Sequence, residues 1–125
     1  MIAIASHLVA LSLAVAPAPP TPPASVTAFL LALGSHDLAA ARATLSRDVQ
    51  FMDRGRAVRL GALESFAAYV EGCRQTELSW SFDDEDQTRG AGTVTWTCPS
   101  RGATEVFIWT AGARVVAVVF GLPPS

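Results

Sequence analysis

Two carboxylates stand at the margins of apolar runs. Asp53 follows Phe51-Met52, and Phe51, two residues earlier, points to the same side of an extended strand. Facing an apolar interior, Asp53 would suit proton abstraction; facing water, it would cap the turn at Arg54-Gly55. Glu105 opens an otherwise apolar strand. In an apolar pocket its carboxyl could donate a hydrogen bond, whereas at a strand edge it would sit in water or pair with an arginine such as Arg101.

The aromatic side chains are the second resource. Trp80, Phe82, Trp96, Phe107 and Trp109, with Phe29 and Phe51, either line a pocket for a flat apolar ligand or fill the core. Cys73 and Cys98 are the only cysteines. An even pair in an oxidising compartment implies one disulfide, and free buried thiols are the alternative. Their spacing fits no zinc motif, and His36 is the sole histidine beyond the first segment, so no metal or cofactor is expected. His36 falls in an inter-helix loop and is expected to be exposed and idle.

Other signals exclude chemistry. Asp83-Asp84-Glu85-Asp86 lacks the spaced ligands of a calcium loop and reads as a solvated hairpin tip. Arg54, Arg56 and Arg59 would attract an acid at a pocket mouth or simply stay at the surface. There is no glycine-rich phosphate loop, no G-x-S-x-G elbow and no His partner for a Ser or Cys nucleophile. Nine arginines, no lysine and eleven acids give a net charge of −2. That balance argues against nucleic acid as a partner, which calls for a basic stripe.

Secondary elements must place these residues. Val26, Phe29, Leu30 and Leu33 form a helical stripe that Gly34 is expected to end. Asp37 can cap a second helix whose buried side is Leu38, Ala41 and Leu45. Residues 49–53 read as a strand, and 54–59 as a loop or short second strand. Leu63, Phe66, Ala67 and Val70 repeat the helical stripe up to Gly72. Leu78, Trp80 and Phe82 then alternate with polar residues, as do Val94, Trp96 and Cys98 with threonines. Residues 105–110 and 115–120 give two more strands around Ala111-Gly112-Ala113. The class is α+β, with three N-terminal helices on a curved, mainly antiparallel sheet.

Folding the middle hairpin about Gln87 or Thr88 sets Cys98 opposite Glu77 or Leu78. Cys73 lies four or five residues earlier, with residues 74–76 as a short connector. A Cys73–Cys98 disulfide is therefore within reach.

The first segment is of another kind. Residues 8–16 have the length of a signal-peptide core and are too few to span a bilayer. Ala14-Val15-Ala16 has the small-x-small form of a cleavage site, although no Lys or Arg precedes the apolar run. A buried N-terminal helix is the alternative. Residues 17–24, PAPPTPPA, form a stiff linker. The division is thus 1–24, a signal-type segment with its linker, and 25–125, one domain. A periplasmic or secreted location is expected.

Three stretches carry a family resemblance: VTAFLLALGSHDLAAARATLSRDVQFMDRG, RLGALESFAAYV and TEVFIWTAGARVVAVVFG. Their order resembles the cone-shaped fold of the nuclear transport factor 2-like and SnoaL-like superfamily, and covers nearly all of the domain. Within it the pattern is most similar to the ketosteroid isomerases. The resemblance implies Asp53 as the base after the first strand and Glu105 as the protonated acid of a late strand. The family's oxyanion tyrosine on the first helix corresponds to Phe29, which removes a main donor.

The leading expectation is therefore an exported protein that binds a small apolar molecule in an aromatic-lined pocket, without assigned chemistry. One alternative is an isomerase-type proton-transfer enzyme using Asp53 and Glu105. Another is a non-catalytic interaction domain that dimerises through the open sheet face, where Thr93, Thr95 and Thr97 alternate with apolar residues. A homodimer is expected.

Overall fold

A computed structural model describes residues 20–122. The signal-type segment falls almost wholly outside the described residues. Helix α1 spans Ala24–Gly34, α2 Leu38–Arg42 and α3 Ala62–Tyr69. The strands are β1 Leu45–Asp53, β2 Arg56–Val58, β3 Arg74–Phe82, β4 Arg89–Cys98, β5 Gly102–Ala111 and β6 Arg114–Phe120. They form one sheet in the order β2-β1-β6-β5-β4-β3. Every pairing is antiparallel except β1 with β6. The expected α+β layout is present, and the parallel contact places β1 inside the sheet between β6 and β2.

The helices start and stop for local reasons. The Asp37 carboxylate accepts from the Ala40 amide at 3.0 Å, capping α2 as expected. Leu45 belongs to β1, however, and not to α2. Helix α1 does not end through a left-handed Gly34. Ser35 is its C-cap, with its hydroxyl on the Leu31 carbonyl at 3.1 Å, and the left-handed residue is His36, φ 58°. The chain thus reverses two residues downstream of Gly34, and His36 stands at the α1–α2 corner.

Phe66 of α3 is the hub of the interior. Its ring centroid lies 5.1 Å from Phe120, 5.9 Å from Trp96, and 6.0 Å from both Phe29 and Phe51. Phe66 and Phe29 are fully buried. Aromatic pairs at these distances add attraction beyond area burial. The centre of the cone is thus filled by the protein's own rings.

The β3–β4 hairpin departs from the expected register. Its pairs run from Phe82 opposite Gly90 to Arg74 opposite Thr97. The turn therefore centres on Asp86 rather than on Gln87 or Thr88. Asp83 accepts from the Glu85 amide at 2.8 Å, and Asp86 from the Thr88 amide at 3.0 Å and the Thr88 hydroxyl at 2.5 Å. Those Thr88 bonds hold the Asp86 carboxyl below its usual range. The acidic run is thus a turn-forming device on an exposed tip. Residues 74–76 belong to β3 and are no connector. A bulge between Gln75 and Glu77 absorbs the register shift. Cys98 consequently arrives beside Cys73, and the two form a disulfide with a Cα separation of 4.2 Å.

Candidate functional site

The curved sheet has an inner face under α1 and α3 and an outer face free of helices among the described residues. On β5, Thr104, Val106, Ile108 and Thr110 point inward and are buried, while Glu105 and Trp109 are exposed on the other side. The β5 register puts Glu105 beside Thr95 and Phe107 beside Thr93, extending the outer face. Asp53 takes the inner side of its strand, level with Phe120. Its side chain is 35% exposed, yet Oδ1 is buried without a hydrogen-bond partner, 3.8 Å from the Arg54 guanidinium. The sheet therefore separates the two carboxylates and does not bring them into one cavity. β5 carries apolar residues on both faces, so alternation alone does not give the facing of Glu105.

The seven candidate pocket aromatics are dispersed as well. Phe29 and Phe51 lie in the filled core. Trp96 lies at its edge, where it also lines a groove of about 540 Å³. Trp80 is buried flat over Gly90 and Gly92, whose missing side chains leave room for the indole. Phe82 and Trp109 border a hollow of about 600 Å³ at the far end of the hairpin. Phe107 and Trp109 stand 6.3 Å apart on the outer face. They do not enclose one common aromatic pocket.

The groove is more enclosed than the hollow beside Phe82 and Trp109. It opens between the C-terminal half of α1, the α1–α2 corner, α3 and the start of β3. Leu30, Leu33, Leu38, Ala67 and Val70 supply its apolar walls, and Trp96 and Cys73 close one side. His36, Glu64, Glu71 and Gln75 add polar groups. The Arg42 guanidinium bonds Glu64 at 2.5 Å and joins α2 to α3 there. This pair is exposed on both sides, so it orders the wall more than it stabilises the fold. His36 is exposed as expected, but it lines this groove. The missed signal was the loop position itself, because a corner residue between two helices can face the cleft between them. Among the described residues, no cluster of three potential metal-ligating side chains occurs.

Below the groove the molecule is tightly tied. Arg101 lies over the Tyr69 ring, 3.9 Å from its centroid, and donates to the Tyr69 carbonyl and, at 3.2 Å, to Cys98 Sγ. Tyr69 shares a 2.7 Å hydrogen bond with the buried Thr104 hydroxyl.

No protein-family model and no curated protein matches this sequence. Solved structures do. A protein of Shewanella frigidimarina, provisionally assigned as a ketosteroid isomerase, matches with TM-score 0.57 at 18% identity, covering 77% of this chain and 90% of its own. A protein of Xanthomonas campestris, provisionally assigned as a polyketide cyclase, matches with TM-score 0.56 at 18% identity, over 80% and 87% of the two chains. Another provisional polyketide cyclase, from Silicibacter, gives TM-score 0.52 at 19% identity, over 75% and 82%. At these identities the likeness concerns architecture. The chain has the cone fold of the nuclear transport factor 2-like and ketosteroid isomerase-like proteins.

Proposed function

We propose that this protein binds a small, largely apolar molecule in the groove between α1 and α3. The observation that carries the reading is the groove itself. Its volume of about 540 Å³ lies within the ~300 to 1,000 Å³ range usual for ligand sites. It joins an aliphatic wall and an indole to a few polar groups, the usual composition of such sites. Binding fits better than proton transfer by Asp53 and Glu105, which lie on opposite faces of the sheet. Mass spectrometry of protein purified from its native host should find a retained apolar molecule. Ala67→Trp, which fills the groove, should lose it while keeping a native circular dichroism spectrum. Full retention by that variant would reject the groove as the site.

The protein is also read as exported and dimeric. The disulfide and the signal-type segment support export, and intact mass of the periplasmic or secreted fraction should lack at least the first sixteen residues. Full-length protein confined to the cytoplasm would refute this. Phe107, Trp109, Ala117 and Val119 form adjoining cross-strand pairs on the helix-free outer face. A homodimer would cover that apolar area; monomer mass by light scattering at micromolar concentration would contradict it.

A further inference from the structure

The groove between α1 and α3 carries a charge asymmetry that its apolar walls do not explain. Two carboxylates line it, Glu64 and Glu71, and no arginine does. The chain has no lysine to supply a cation instead. Glu64 is neutralised by Arg42 at 2.5 Å. Glu71 has no ion pair among the described residues. Two further arginines stand close by without lining the recess. Arg101 lies over the Tyr69 ring and donates to the Tyr69 carbonyl and to Cys98 Sγ. Arg74 falls between Cys73 and Gln75, which both line the groove while Arg74 does not. The lining therefore keeps one carboxylate in excess.

The other polar groups share this bias. Gln75 can present its side-chain carbonyl, and a neutral imidazole at His36 offers an acceptor nitrogen. Helix α1 adds to it. Leu33 and Gly34 of its last turn line the groove, and that turn holds no basic residue. A helix C-terminus carries partial negative charge. An anionic ligand would meet Glu71 with no lining cation to offset the repulsion, and a neutral one would gain nothing from its charge. An ammonium carries three donors and no acceptor, so it matches a carboxylate, an amide carbonyl and an imidazole nitrogen. The recess of about 540 Å³ has room for the apolar body behind it.

We infer that the groove takes an organic cation: an amine, protonated at neutral pH, on a compact apolar body. The body packs on Leu30, Leu33, Ala67, Val70 and Trp96, and the ammonium stands at Glu71. This names the ligand class of the site proposed above and rests on the groove being that site.

The test uses the full chain, labelled with ¹⁵N, and three matched probes: 2-(aminomethyl)naphthalene, 2-(hydroxymethyl)naphthalene and 2-naphthoate. Affinities are read from the Trp96 indole N–H resonance, which reports on the groove. The amine should bind about fivefold tighter than the alcohol, the upper range for a partly exposed ion pair, and the carboxylate should bind weakest. Added salt should reduce the amine's advantage, since it screens an exposed pair. Glu71→Gln should bring the ratio of amine to alcohol affinity close to one. Glu71→Arg should reverse the order and favour the carboxylate. The inference is overturned, with the groove still a binding site, if the alcohol or the carboxylate binds the parent protein as tightly as the amine. It is equally overturned if Glu71→Gln keeps the parent's ratio. If none of the three probes moves Trp96, or if Ala67→Trp binds them all as the parent does, the groove itself is rejected as the site and the inference falls with it.

Discussion

The β3–β4 hairpin is built differently at its two ends. At one end the Cys73–Cys98 disulfide ties β3 to β4, Arg101 covers Tyr69, and Tyr69 meets the Thr104 hydroxyl at 2.7 Å. At the other, Trp80 rests on glycines, and two buried polar atoms have no partner. Thr104 and Thr110 make the contrast sharpest. They share one strand and its inner face, yet only one hydroxyl is satisfied. One end commits its polar groups to holding the fold, and the other leaves two buried polar atoms without a partner.

Breaking the tied end should have the largest effect. Replacing both cysteines, C73S with C98S, removes a link across 25 residues of chain and should lower stability by about 2 to 4 kcal/mol. Urea denaturation under non-reducing conditions measures it. A loss too small to resolve would mean that Arg101, Tyr69 and Thr104 hold this end without the bond.

A smaller loss is expected at the glycine platform. A side chain at Gly92 would overlap the Trp80 ring and the Ser79 carbonyl. Gly92→Ala should therefore cost about 1 to 3 kcal/mol, as overpacking does, and should raise the exposure of Trp80 seen in fluorescence quenching. An unchanged midpoint with unchanged quenching would show that the indole does not need this surface.

Much of the fold was legible because the governing signals are local. The stripe at Val26, Phe29, Leu30 and Leu33 specifies α1, and Asp37 caps α2 as its side-chain chemistry requires. The cysteine pairing was reachable even with the wrong register, since both residues flank the same hairpin end. Features decided by long-range context were not legible. The hairpin register depended on side chains of Asp83 and Asp86 shaping the tip, and on a bulge between Gln75 and Glu77. The facing of Glu105, Phe107 and Trp109 was hidden because β5 carries apolar residues on both sides. The groove is not legible in the sequence because α1, the α1–α2 corner and α3 meet there only in three dimensions, and Trp96 is the one candidate pocket aromatic that lines it.

The comparison of Thr104→Val with Thr110→Val in the ligand-free protein tests the central claim most directly. Valine keeps the shape of threonine and removes its hydroxyl. At Thr104 this breaks the bond to Tyr69 and strands a partner, so stability should fall by about 1 to 3 kcal/mol. At Thr110 it removes a buried hydroxyl that has no partner, so stability should be unchanged or rise by about 1 kcal/mol. Opposite or clearly unequal responses in paired urea denaturation curves are the predicted result. Equal destabilisation by the two substitutions would mean that the Thr110 hydroxyl is already satisfied, and the division between a tied end and an open one would fall.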